Sequence, residues 1–527
     1  MFVALLGMVS SVALAQGGSG TPASEMVDGP SGQPMVTPEL GGVLRLRGQW
    51  IEGGTLGNGT SGLPASLSSD GGIGAGDRLR QADVRLRLRP ALSLGSYARI
   101  DSLVDVAGRT VFGSDPRLDD VAGHTWGFEG NGPVRDAFAV RRLWATFDVF
   151  GIGTFEVGRT PDHFGLGILR NDGRDLRADW QSDVDRVRIG AELFGLRVRL
   201  SRDTMATLPM VAKGLAADDP HYALADSTDV IRWLAEVETA TPSSEPGLHW
   251  ALAVGYQDQA VGLELEHSDN PLAKLQSDCL QRGTCVTLVT RDATMIMPQA
   301  FVSWRADRPW GQLRLQAEGA ARVGTIANTD SLASTDTSKI LVAGAAVGRA
   351  ELLWAQGRAK LDAGYVSGEG AGGFGVLDRQ NLTAATPSGE VHRKLLTGLP
   401  LHRGFLIDGL LYREVIGAVA NSAYLRPAYR RTFFGEVPDL HGDAPGVGLD
   451  VEFSLLAAMA ARNGSTPGRT WPLGLEPELR IDARFGRAGA AILQGSWLLP
   501  GSAFDAGQGG KAASSAMRIS FDWLTTF

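Results

Sequence analysis

The chain has 527 residues, of which 43% are hydrophobic and 20% charged, and a net charge of −8. That apolar content with modest charge excludes a disordered chain; two cysteines exclude a disulfide scaffold, and the acidic balance argues against nucleic acid as a partner. Length alone suggests several soluble domains of about 150 residues each. Two excesses stand out: 69 glycines, well above an ordinary ~7%, and a basic complement in which only six of 50 residues are Lys.

Phe2 to Ala15 is an uncharged apolar run closing on Ala13-Leu14-Ala15, the pattern of a secretory signal peptide. No Lys or Arg precedes it, a departure that a longer natural signal would explain; the alternative is a short buried N-terminal helix. Residues 16–41 are rich in Gly, Ser, Pro and Thr and read as a flexible periplasmic leader. No later stretch is long and apolar enough for a helical span, so an exported chain of this kind is either soluble or a membrane β-barrel, whose spans are weak in hydropathy.

From residue 42 onward, period two dominates. Leu44, Leu46 and Trp50 alternate with Arg45, Arg47 and Gln49; Val84, Leu86 and Leu88 alternate with Arg85, Arg87 and Arg89. Leu196 to Leu200 and Leu313 to Glu318 repeat the pattern. A recurrent Arg face suits a wet lumen, because the guanidinium fork pairs across strands. Connections alternate in length: long over 50–78, 107–134 and 160–183, tight at Pro90-Ala91, Phe150-Gly151 and Phe194-Gly195. Long extracellular loops against short periplasmic turns mark a barrel. The expected fold is all-β, a transmembrane antiparallel up-and-down β-barrel over 42–527, with about 18 strands (range 16–20). Gly404 to Ile416 carries Ile407, Leu410, Leu411 and Glu414 at helical spacing and is expected as a short helix in an inward or capping loop.

The chain ends MRISFDWLTTF, with Ile519, Phe521, Trp523 and Phe527 on one face. Aromatics concentrated at a strand end suit a membrane interface. Here the chain resembles Gram-negative outer-membrane β-barrels of the porin type, whose final strand ends in Phe and is read by the barrel-assembly machinery. By that resemblance Phe521, Trp523 and Phe527 form the assembly signal, and outer-membrane lipid and the assembly machinery are partners. The segments Gly158-Arg159 to Arg188 and Arg413 to Pro427 also resemble an uncharacterised family of large myxobacterial barrels, which brings no established substrate.

Between the fifth and sixth expected strands, Asp162, Asp172, Asp175, Asp179, Asp183 and Asp185 are interleaved with Arg170, Arg174, Arg177 and Arg186. In general porins the loop at this place folds inward and narrows the lumen. An acidic inward loop facing a wall of Arg45, Arg47, Arg85, Arg87 and Arg89 would set a field across a constriction. A mutually neutralised Asp/Arg network that only orders the loop is a second possibility, and a calcium site a third, although Asn171-Asp172-Gly173 lacks EF-hand spacing. Cys279 and Cys285 are expected to form a local disulfide in an oxidising compartment.

No hydrolase, metalloprotease or P-loop motif occurs. Asp162-His163 is the acid–His neighbour pair weighed as a candidate, and adjacent strand residues point to opposite faces. No enzyme activity, metal or cofactor is expected. Two functions remain: a porin-like channel for passive diffusion of small hydrophilic, possibly anionic, solutes, or a loop-plugged structural or surface-interaction barrel whose 369–403 and 427–446 loops bind a partner. Oligomeric state is open.

Overall fold

The computed structural model describes residues 36–54, 56, 78–113, 139–149, 151–205, 230–241, 245–267, 284–327, 338–369, 374, 395–435, 437, 446–486, 489–505 and 512–527. The expected signal peptide, most of the expected leader, Cys279 with its proposed partner bond, and most of the 369–403 loop lie outside the described residues.

The wall begins with β1 (Val36–Glu52), β2 (Arg78–Leu94), β3 (Ala98–Gly113), β4 (Ala139–Val149), β5 (Gly153–Pro161), β6 (Asp183–Leu193), β7 (Leu196–Met205), β8 (Val230–Thr239) and β9 (Gly247–His267). It continues with β10 (Thr284–Arg308), β11 (Gly311–Ile326), β12 (Lys339–Trp354), β13 (Gly357–Val366), β15 (Ser422–Phe434), β16 (Val447–Ala460), β17 (Pro472–Phe485), β18 (Gly489–Pro500) and β19 (Ala516–Thr526). β14 (Leu395–Leu396) is a two-residue strand lying parallel to β12. The other eighteen pair antiparallel with their neighbours, β13 directly with β15, and β1 closes on β19 from Val43 opposite Thr526 to Glu52 opposite Met517. Closure leaves no unpaired edge, which is the condition for crossing a bilayer with strands.

The two faces are inverted relative to a soluble sandwich. Val187, Ile189, Leu200, Leu252, Val254, Leu479 and Phe521 are exposed outward, while Arg47, Asp83, Arg186, Asp203, Glu351 and Asp522 are buried inside. An apolar exterior around a polar interior, repeated strand after strand, is the wall of a lipid-embedded barrel. No helix among the described residues is long and apolar enough to cross a membrane. This is the architecture of a Gram-negative outer-membrane β-barrel.

Most strands lie within a few residues of their expected positions, although β10 begins at Thr284 rather than near 294; three further readings differ. β1 starts at Val36, and Val36 to Gly41 pair with Leu94 to Arg89 rather than forming leader. The tight turn expected at Pro90-Ala91 is absent: β2 runs on to Leu94 and turns through Gly95, whose φ is +59°. Pro90 has no N–H, and it sits in an interruption of the β2–β3 pairing between Leu88–Val104 and Ala91–Asp101, with the register unchanged across it; its carbonyl accepts the Ser102 hydroxyl at 3.0 Å. In the 427–446 segment, residues 427–434 belong to β15 rather than to a loop, and β15 ends on the rim that carries the tight turns; most of the rest lies outside the described residues. Phe194-Gly195, with φ of +53° and +76°, is the expected two-residue turn, whose twist matches its strands; Phe150 of the other expected turn lies outside the described residues.

Two long connections fold into the barrel: 162–182, between β5 and β6, and 367–421, between β13 and β15. In the second, the helical spacing of 404–416 becomes one π-helical turn, Leu411–Ile416, ended by Gly417 at φ +90°. The amides of Glu414 and Val415 both donate to the Leu410 carbonyl, at 2.9 and 3.0 Å. Its apolar residues meet Ile51, Leu341, Val347, Leu456, Leu473 and Leu498, wall residues near the long-loop ends of their strands. Ile168 and Leu169 of the first loop join the same cluster. The extracellular half of the lumen therefore holds an apolar core built from loop and wall together.

Candidate functional site: a charged lumen and its inward loops

The wall charges follow from alternation and register. Arg45 and Arg47 of β1 face Arg85 and Asp83 of β2 directly. Arg45 and Arg85 are thus like charges side by side, which is unfavourable unless a carboxylate bridges them. Asp83 takes Arg45 at 2.8 Å and Arg47 at 2.7 Å. The second bridge comes from the loop: Asp179 takes Arg45 at 2.8 Å, Arg47 at 2.9 Å, Arg85 at 3.4 Å, and Arg413 of the other inward loop at 3.5 Å. The backbone joins in. Arg85 donates to the Ala178 carbonyl at 2.9 Å, and Arg45 to those of Leu176 and Arg177 at 3.4 Å each.

The remaining loop acids are distributed differently. Asp162 is buried between Arg186 (2.8 Å) and Arg232 (2.7 Å), which also share Asp203 of β7. Burial pushes the Asp162 carboxyl up, but the guanidiniums of Arg170, Arg232 and Arg186 reverse this and hold it well below the usual range. Asp172 takes His163 at 3.1 Å and Arg174 at 2.7 Å; burial opposes ionisation, and these two partners bring the carboxyl down to about 2. Asp175 pairs with Arg177 at 2.9 Å and Asp183 with Arg142 at 2.5 Å. Asp185 is not in the lumen. It alternates outward with Val187 and Ile189 and pairs with the exposed Arg159 at 2.7 Å. The neighbours Asp162 and His163 do not form a pair; each meets other residues.

Of the remaining wall arginines, Arg87 pairs with Asp105 at 2.7 Å. Arg89 is exposed in the lumen and carries no ion pair. Arg322 of β11 shares the inward face of Glu318 and Ala320, and it also lacks a partner among the described residues. Loop acids and wall bases thus meet in direct ion pairs at β1 and β2 rather than across an open gap.

Sequence reasoning did not single out the wall residues that dock the loops. Glu318 accepts the amides of Leu166 (2.5 Å) and Gly167 (3.1 Å). A side chain at Gly165, whose φ is +55°, would come within 2.6 Å of that carboxylate, so the close approach requires glycine. Glu476 of β17 accepts Gly409 (3.0 Å) and Leu411 (2.8 Å), and Asp408 accepts Tyr412 at 2.5 Å. Inward carboxylates at even spacing were visible in these strands, but nothing local shows that a loop amide comes to meet them.

At the terminal strand, Phe521 and Phe527 are exposed outward, and Trp523 stacks on Phe485 with ring centroids 5.4 Å apart. Gly42 and Phe527 exchange backbone hydrogen bonds at 2.8 and 3.1 Å. A side chain at Gly42 would come within 2.3 Å of the Phe527 ring.

No protein-family model matches the chain, and no curated protein matches it. Solved structures do. OccK11 (OpdR) of Pseudomonas aeruginosa aligns with a TM-score of 0.44 and 11% identity, over 93% of this chain and 96% of that one. OpdK of the same organism, solved with vanillate, gives 0.43 and 10%, over 93% and 99%. OmpT, an outer membrane protein of Vibrio cholerae, gives 0.37 and 9%, over 93% and 98%. Likenesses at this level carry no information on solute or activity.

Proposed function

We propose that the protein is a porin-like outer-membrane channel for passive diffusion of small hydrophilic solutes, with a preference for anions. An eighteen-stranded barrel is wide enough to hold an aqueous passage. The observation that carries the anion preference is the state of Arg89 and Arg322: both face the lumen, and neither forms a direct ion pair among the described residues. A guanidinium outside any ion pair on a pore wall attracts anions and repels cations. Lipid of the outer membrane is the solvent of the exposed face. The aromatic terminal strand is proposed as the signal that the barrel-assembly machinery reads.

A second reading has its own observation. The apolar cluster at the long-loop end joins both inward loops to the wall, as a plug would. Planar-bilayer recording separates the two. Stable current steps with a reversal potential favouring chloride over potassium are expected for the channel; a folded, heat-modifiable barrel that stays electrically silent would establish the plug instead.

A further inference from the structure

We infer that the arginine cage around Asp179 is a binding site for a small dianionic solute, occupied in this structure by the loop's own carboxylate. The inference rests on the anion-channel reading and names the site where the solute is held.

One carboxylate is gripped by four guanidiniums, from Arg45, Arg47, Arg85 and Arg413. That is more donors than a structural ion pair uses, since two oxygens offer about four acceptor positions. Nearby backbone carbonyls of the tip, at Leu176, Arg177 and Ala178, are also held by arginine, so an acceptor-rich tip fits a donor-lined cage. Three of the arginines stand on β1 and β2, which are fixed by pairing along their lengths whether or not the tip is present. The fourth, Arg413, stands on the π-helical turn. With the tip withdrawn, the carboxylates of Asp83, Asp522 and Glu414 remain near these guanidiniums, the last 3.5 Å from Arg413. Arg518, 3.5 Å from Glu414, adds further positive charge.

Such a surplus suits an oxyanion with two negative charges, because planar forks engage phosphate or paired carboxylates in bidentate fashion. Asp179 is also the reachable member of the cluster. Its side chain keeps 11% exposure, against 0% for Arg45 and 1% for Asp83. The Nε of Arg45 is buried and makes no hydrogen bond, leaving a donor available on rearrangement. A solute dianion that displaces Asp179 takes over its contacts and frees the tip, so that arrival of the solute loosens the loop that narrows its path.

The test uses the full-length protein in detergent micelles, titrated calorimetrically with inorganic phosphate at neutral pH and constant ionic strength. Asp179→Asn removes the charge of the internal competitor, whose effective concentration is of millimolar order, and is expected to tighten phosphate binding by roughly tenfold or more. Asp185→Asn removes the same charge from the outer face and is expected to bind phosphate as the unaltered protein does. Adding Arg413→Gln to Asp179→Asn is expected to reverse most of the gain. No tightening in Asp179→Asn, or an equal gain in Asp185→Asn, overturns the proposal. A measurement on the unaltered chain guards against a misfolded variant: phosphate is expected to raise amide exchange at residues 176–179, and unchanged exchange at saturating phosphate overturns it as well. Neither readout needs ionic current, so an electrically silent barrel would count against the channel and leave this test decisive for the site.

Discussion

His402 and Asp408 lie in the same inward loop and are perturbed in opposite senses. Burial holds the His402 imidazole down at about 4, from an ordinary 6.5. Burial, with repulsion from Glu478, lifts Asp408 to about 6 from 3.8. The docked loop thus binds fewer protons at His402 than a released loop does, and this contribution to docking is present at neutral pH and lost as pH falls from 6.5 through 4. At Asp408 the docked loop binds more protons, so that contribution is complete below pH 3.8 and lost as pH rises through 6. Between about pH 4 and 6 the two slopes oppose. His402→Gln is expected to leave docking that weakens with rising pH, and Asp408→Asn docking that strengthens. Amide exchange at Leu411 and Tyr412 measures it; equal slopes in the two variants would refute the assignment. Neither residue stood out in the sequence, because burial inside a barrel depends on which loop turns inward. The wall arginines were legible, since alternation alone sets their face. Asp185 was misplaced for the converse reason: it reads as one more acid in a loop, yet it lies in β6 with its side chain outward.

The strands were almost wholly legible, because a two-sided environment writes itself into every second residue. Pro90-Ala91 misled because a local turn signal was weighed without the ladder; Pro is tolerated in β2 where the pairing with β3 is interrupted between Leu88 and Ala91. The inward docking of 162–182 was expected only by resemblance. Its physical cause is non-local: the Glu318 carboxylate presented to the amides of Leu166 and Gly167. Glu318→Ala leaves the buried Gly167 amide and the part-buried Leu166 amide without an acceptor, at about 1–3 kcal/mol for the buried one. The first turn of the loop is then expected to exchange its amides faster, with the strand amides of β5 and β6 unchanged. Glu318→Gln keeps an acceptor oxygen and is expected to lose less. An effect confined to global unfolding would show that Glu318 supports the wall rather than the loop.

For the whole molecule, the glycine excess serves turns and close approaches such as Gly42 beneath Phe527 and Gly165 beside Glu318, and the arginine excess is placed mainly inside. Length suggested several domains; closure of β1 on β19 makes the described chain one barrel. Replacing both Arg89 and Arg322 by Ser removes two lumen charges that form no direct ion pair among the described residues. Anion preference in planar bilayers is expected to fall toward neutrality with little change in stability, because neither residue holds another in place. Unaltered selectivity would move the determinant elsewhere in the wall.

The seam between β1 and β19 also carries a kinetic consequence. Arg518 and Gln49 meet there at 3.2 Å, although 469 positions separate them in the chain. Every other wall pair joins strands that follow one another along the wall, so hairpins can add in order, each nucleated by the last. The seam has no such neighbour to template it. It forms only when both ends of the sheet have curved round to meet, and contacts of such long range are the slow ones in folding. Sealing of the barrel is therefore expected late in folding, and the same line is where a destabilised wall is expected to unzip first.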